Sequence, residues 1–227
     1  TLFAGQQRIR PDVERLHEAV SIISASKKPV VVLGRGAMEP QATQAADHLA
    51  KRIGALITTT LIAKGSTWKY LDNGSNQGVA WRATAFNDGT WSAGIAQLGY
   101  GDGDEATIVK FGSNANSKYI TTYFRKSFSV ANPSQFTSLL INLLRDDGAV
   151  VYLNGIELVR SNLPGGSITS STLASTSIVG ADESTFYAFT LGTAALLAGT
   201  NVIAVEIHQA TPDSSDLSFD LELIARP

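Results

Sequence analysis

The sequence predicts a mixed fold: a small α/β segment with a partial parallel sheet over residues 1–65, then an all-β antiparallel jelly-roll sandwich over residues 66–227. Three observations predict it. Of nine Phe, six Tyr and three Trp, only Phe3 precedes Gly65. Residues 1–64 hold nine Lys and Arg against five Asp and Glu, a formal +4, which leaves −6 for the remainder of a chain whose total is −2. The apolar pattern changes from helical spacing before Gly65 to strict alternation after it. A chain of 227 residues is long enough for two small domains, each with its own core.

In the first segment Arg10-Pro11-Asp12 is followed by Val13, Leu16, Val20 and Ile23, a helical stripe with proline suited to the first turn and acids near the positive dipole end. That predicts a helix of about four turns. Pro29-Val30-Val31-Val32-Leu33 is a continuous apolar run, as in strands buried on both faces, and it stops at Gly34-Arg35-Gly36. Pro40 opens a second helix with Ala42, Ala45, Ala46, Leu49 and Ile53 on one face and Gly54 as its closing cap. Residues 55–60 read as the next strand. Strand, helix, strand with a short crossover implies two parallel neighbours, whose open edge leaves room for self-association.

These residues carry a resemblance. Arg10-Pro11-Asp12, Lys28-Pro29-Val30-Val31-Val32-Leu33-Gly34-Arg35-Gly36-Ala37 and Thr58-Thr59-Thr60-Leu61-Ile62-Ala63-Lys64-Gly65 resemble, in order and spacing, the first half of the central domain of thiamine-diphosphate-dependent enzymes, the acetolactate synthase and decarboxylase group. In some members that domain holds FAD or an ADP moiety, so the resemblance makes Gly34 and Gly36 the candidate cofactor-binding residues, with a plain strand-to-helix turn as the alternative. The family's chemistry lies in two other domains, one of them with a Gly-Asp-Gly motif and a downstream Asn. Gly101-Asp102-Gly103 and Asn132 imitate that motif, but between strands rather than between a strand and a helix.

After Gly65 the chain alternates. Ile203, Val205 and Ile207 fall on one face, with Val202, Ala204, Glu206 and His208 on the other; Leu217, Phe219, Leu221 and Leu223 form a second inward row, with Ser218, Asp220 and Glu222 outward. Further strands are expected over 68–71, 95–100, 107–111, 119–130, 136–144, 149–153, 156–160 and 185–191. Asn154-Gly155 between two of them is the strongest short hairpin signal, since both turn positions favour positive φ. Residues 161–177 are rich in Ser, Thr and Gly and read as a long loop. Many short strands and frequent turns give an antiparallel sandwich.

A second resemblance rests on Trp68-Lys69-Tyr70-Leu71-Asp72-Asn73-Gly74-Ser75, Leu98-Gly99-Tyr100-Gly101-Asp102-Gly103-Asp104-Glu105, Arg145-Asp146-Asp147-Gly148-Ala149-Val150-Val151-Tyr152-Leu153-Asn154-Gly155 and Gly199-Thr200-Asn201-Val202-Ile203-Ala204-Val205-Glu206-Ile207-His208. These resemble the galactose-binding-like jelly-roll modules of secreted bacterial proteins, a group that includes sugar binders, calcium-dependent modules and spacers. The two resemblances imply different compartments, secreted for the sandwich and cytoplasmic for the α/β segment.

Asp102, Asp104 and Glu105 place three carboxylates in a glycine-rich loop, a candidate calcium site if they are not simply a solvated acidic loop. Asp146 and Asp147 precede the hairpin and either bond its backbone or contact a ligand. Glu206 and His208 share a face and are candidates for a metal or a sugar hydroxyl, against a histidine satisfied by its neighbour. Tyr100, with Trp68, Trp81 and Trp91, either stacks on a sugar ring or fills the core. Serine is abundant and unpatterned, so no Ser/His/Asp set stands out.

The charge of −2 offers no basic stripe for nucleic acid, and no apolar run reaches the roughly 18 residues of a membrane span. Cysteine is absent, which excludes disulfides and thiolate metal sites. With no complete catalytic apparatus in either half, the expectation is a fusion that is not an enzyme, whose sandwich binds a glycan or acts as a spacer. The alternatives are a fragment of a thiamine-diphosphate enzyme that needs absent domains, and a structural or engineered chimera with no ligand.

Overall fold

The computed structural model describes residues 13–25, 30–33, 48–50, 52 and 56–227. The chain forms two compact units, Thr1–Thr58 and Thr59–Pro227. In the first, helix α1 spans Val13–Ala25, with Glu14 in its first turn against the helix dipole. Strand β1 covers Val30–Leu33. Of the second expected helix, residues 48–50 and 52 are helical; its start at Pro40 and its cap at Gly54 lie outside the described residues, as do Gly34 and Gly36.

Strand β2, Leu56–Ile62, crosses the division between the units. In the second unit it is followed by β3 (Thr67–Leu71), β4 (Ser92–Ile95), β5 (Leu98–Tyr100), β6 (Thr107–Ile108) and β7 (Thr121–Val130). The remaining strands are β8 (Ser138–Asp146), β9 (Gly148–Leu153), β10 (Ile156–Ser161), β11 (Phe186–Leu191), β12 (Gly199–His208) and β13 (Leu217–Arg226). One sheet has the order β10-β9-β12-β7-β3-β4. In the other, β13 pairs along its length with β8, which pairs in turn with β11. The opposite edge of β13 is shared by β2 and β5, and β5 carries β6 as a parallel neighbour. Apart from that pair, the ladders of the second unit are antiparallel.

The core between the sheets contains the inward rows expected from alternation. Ile203, Val205 and Ile207 face it from β12, and Phe219, Leu221 and Leu223 from β13, all fully buried. Each such side chain contributes roughly 1.5–3 kcal/mol on leaving water. The Asn154-Gly155 hairpin is present with φ of 53° and 87°, and Asn154 Nδ2 reaches back 2.8 Å to the Ala195 carbonyl.

One expectation needs correction: Ser218 and Asp220, expected outward on β13, are buried. The second face of β12, with Val202, Ala204, Glu206 and His208, is buried too. The segment between β3 and β4 folds over that face, and Trp81 and Trp91 form a second apolar cluster there with Tyr123, Tyr152 and Val150. Arg125, 2% exposed, fastens the segment: its guanidinium pairs with Asp88 at 2.8 Å and donates to the carbonyls of Trp81 and Ala83. Asp220 Oδ2 accepts from the Gly65 amide at 2.9 Å, so the connection entering β3 closes over it.

Candidate functional site

Two polar clusters stand out in the second unit. The first lies where β8 ends at Asp146 and β9 begins at Gly148 in the opposite sheet. Register places Ser218 opposite Asp146 on one side and Gly99 on the other, and Leu217 opposite Tyr100. Gly101 adopts φ +112° and packs so closely that a Cβ there would lie 2.6 Å from Asp216 Cβ. That approach brings the loop carrying Asp102 against the start of β13.

Asp147 is fully committed to structure. Its Oδ1 accepts from the Ile178 amide at 2.7 Å and its Oδ2 from the Ala210 amide at 2.7 Å. The expected bond to the local turn is thus replaced by ties to two distant loops. Asp146 differs: it is 0% exposed, and neither carboxylate oxygen has a hydrogen-bond donor. Burial, then the facing carboxylates of Asp147 and Asp216, push it up to about 9. Gln209 Nε2 donates to the Asp216 carbonyl at 2.8 Å and the Tyr100 hydroxyl at 2.7 Å, and its buried Oε1 has no donor.

The acidic loop divides in role. Glu105 spends both oxygens on the amides of Asp102 and Gly103, each at 3.0 Å, and Asp104 accepts from Gln97 at 3.1 Å. Asp102 Oδ2 accepts from Ser218 Oγ at 2.9 Å. Carboxylate oxygens of Asp102, Asp104 and Glu105 lie within 4.8 Å of one another, and so do those of Asp102, Glu183 and Asp216. Asn132, the other half of the apparent Gly-Asp-Gly motif, caps the turn that follows it by accepting from the Ser134 amide at 3.2 Å.

The second cluster lies under the β3–β4 segment. Tyr152 Oη donates to Glu206 Oε1 at 2.6 Å, Arg82 Nη2 lies 3.4 Å from the same oxygen, and His208 Nε2 lies 3.4 Å from Glu206 Oε2. Burial alone would raise the Glu206 carboxyl, but His208, Tyr152 and Arg82 together hold it below the usual glutamate value. His208 Nδ1 sits 2.7 Å from the Thr172 carbonyl and 3.0 Å from Thr121 Oγ1. The Arg82 guanidinium lies 4.1 Å from the Tyr152 ring centre, its side chain 17% exposed. Arg82 Nε and Trp81 Nε1 have no acceptor among the described residues.

Of the residues singled out in the sequence, Tyr100, Asp146, Asp147, Glu206 and His208 are all buried, and Trp68, Trp81 and Trp91 are core. Tyr100 and Asp146 belong to one cluster, Glu206 and His208 to the other. Sequence reasoning missed Asp216, Glu183, Gln209, Arg82 and Tyr152. Their partners are distant in the chain, so no local pattern marks them.

A family model described as the thiamine pyrophosphate enzyme central domain matches residues 16–73. Acetolactate synthase of Mycobacterium bovis and the acetolactate synthase large subunit of Mycobacterium tuberculosis are each 35% identical over 57 residues, 25% of this chain and 9% of theirs. The chain thus spans under a tenth of the length of these relatives. Among solved structures, a Bacteroides uniformis β-glucuronidase aligns with 75% of this chain and 18% of its own, at 16% identity and a TM-score of 0.48. A Bifidobacterium dentium β-glucuronidase aligns with 75% of this chain and 30% of its own, at 16% identity and a TM-score of 0.46. The expectation of a fusion that is not an enzyme is corrected by these matches, because residues 16–73 are similar to a domain of enzymes. The chain joins a segment similar to the central domain of thiamine pyrophosphate enzymes to an antiparallel β-sandwich.

Proposed function

We propose that the sandwich binds carbohydrate, at the β3–β4 segment around Arg82. The observation that carries this reading is the part-exposed guanidinium of Arg82, whose Nε has no acceptor among the described residues, beside the Glu206 carboxylate and the Tyr152 ring. Sugar hydroxyls accept from such donors and donate to carboxylates, while the apolar face of a pyranose packs on aromatic rings. The partial exposure of Arg82 puts this group at the rim of the covering segment. Of the two readings of Trp68, Trp81 and Trp91, a sugar platform or core, the rings are core.

The test is a glycan array probed with the full chain and with Arg82→Ala. Saturable binding to one glycan class by the wild type, weakened about tenfold or more in the variant, is the expected result. Absence of binding to every glycan leaves the spacer role in its place. Undiminished binding by Arg82→Ala moves the site elsewhere.

A further inference from the structure

The cluster at the end of β8 raises a question of charge balance that the carbohydrate reading leaves untouched. Asp146 comes from the end of β8, Asp216 from the start of β13, Asp102 from the β5–β6 loop, and Glu183 from the turn over Gly180–Ser184 before β11. Four chain segments therefore deliver carboxylates to one region. None of the ion pairs of the described residues involves any of these four. Arg145 feels the neighbouring Asp146 charge, but its hydrogen bonds and those of Lys118 go to other groups. Arg145 donates to Ser161 Oγ at 3.0 Å and the Asp147 carbonyl at 2.7 Å, and Lys118 donates to the Ser214 carbonyl.

A buried carboxylate is costly unless it is paired, coordinates a metal, or takes up a proton. For Asp146 the described residues supply no donor: both oxygens are buried and unpartnered, and the group faces the Asp216 carboxylate. The oxygens of Asp102, Glu183 and Asp216 converge within 4.8 Å of one another. Calcium binds oxygens at about 2.3–2.6 Å, so ligands on opposite sides of one ion stand at about 5 Å, and the observed convergence fits one ion.

We propose that Asp146, Asp216, Asp102 and Glu183 form a calcium site that ties the end of β8 to the β5–β6 loop, the start of β13 and the turn before β11. The ligand set is entirely oxygen, without His or Cys, which selects a hard cation over zinc. The carboxylates arrive from separate segments at irregular spacing, which suits the flexible coordination of calcium better than the strict octahedron of magnesium. The Tyr100 hydroxyl and the donor-free Oε1 of Gln209 lie beside the Asp216 backbone and supply further neutral oxygens to the same neighbourhood. The site differs from the exposed trio of Asp102, Asp104 and Glu105, where Glu105 already closes its own loop. Asp102 is common to both.

The alternative occupant is a proton on Asp146 shared with Asp216, and the experiment separates the two. Full-length protein is stripped with a chelator and titrated with calcium by calorimetry, with Tm measured in parallel. Asp146→Asn, Asp216→Asn and Asp104→Asn are compared. Calcium is expected to bind at one saturable site in the wild type and to raise its Tm by roughly 5 °C or more at about 100 times Kd. Affinity falls about tenfold or more in Asp146→Asn and Asp216→Asn, and stays within about twofold in Asp104→Asn. If Asp146→Asn does not fold, Asp216→Asn and the wild-type titration still decide. No heat and no Tm change in the wild type at about 10 mM calcium would falsify the site; the proton reading then stands, with Asp146→Asn as stable as the wild type. Loss of binding in Asp104→Asn but not in Asp146→Asn assigns the ion to the exposed loop instead, and an equal effect of magnesium overturns the choice of calcium. Neither result depends on glycan binding, so this site and the Arg82 site fail or stand separately.

Discussion

Glu206 shows how much of this protein's polar chemistry is hidden. It lies on the face of β12 opposite Ile203, Val205 and Ile207, yet it is 2% exposed and held by Tyr152, Arg82 and His208. Because its folded pKa lies below its ordinary value of 4.5, its contribution to stability is present above that value and is lost as pH falls through the folded one. Thermal melts from neutral pH down through and below 4.5 should show the wild-type Tm dropping on the acid side. Glu206→Gln should be less stable at neutral pH by roughly 1–3 kcal/mol, with a shallower acid limb. An acid limb as steep in Glu206→Gln as in the wild type would assign the loss to other carboxylates. Asp146 teaches the same lesson from the opposite side. Its place before a Gly and a hairpin was readable as a turn residue, but its burial and its facing of Asp216 depend on two strands meeting 70 positions apart.

Among elements, the long strands were legible because a period of two over eight or more residues has few other readings. β7, β8, β12 and β13 all appear close to where alternation put them, and the Asn154-Gly155 turn fixes β9 against β10. Short elements fared worse. The expected strand over 95–100 divides into β4 and β5, which lie in different sheets, and the strand over 107–111 shrinks to Thr107–Ile108. An apolar run cannot report which sheet its two ends join. The covering segment between β3 and β4 was likewise unreadable, since Arg125, the residue that fastens it, lies in a strand 37 positions beyond Asp88. The strand β2 makes an element-scale prediction. Thr59, Thr60 and Ile62 pair with Ala225, Ile224 and Leu223, and Ile62 is 1% exposed in the core. A chain beginning at residue 66 should therefore be less stable than one beginning at residue 59, by at least ~3 kcal/mol from the lost burial of Ile62 and the uncovered edge of β13. Equal urea midpoints for the two chains would remove β2 from the folding unit.

For the whole molecule, the break in aromatic content and charge correctly signalled two unlike parts, because core composition differs between an α/β sheet and a sandwich. Its position was less exact: the composition changes at Gly65, whereas the compact units divide between Thr58 and Thr59. The sandwich is assembled from distant pairings, such as β3 with β7 and β2 with β13. Folding must close long loops before those contacts form, so refolding of the second unit is expected in milliseconds to seconds rather than microseconds. Stopped-flow tryptophan fluorescence reads this directly, since Trp68, Trp81 and Trp91 all belong to its buried clusters. A completed signal within the mixing time would contradict it.

The strand β2 belongs at once to the stretch matched by the enzyme central domain and to the sheet of the sandwich. Sequence similarity and folding therefore draw different borders through the same residues. A chain without the α/β portion would still need Thr59–Ile62 to cover the edge of β13. The substitution pattern of those positions should follow the needs of β13 and the sandwich core, not those of the enzymes they resemble.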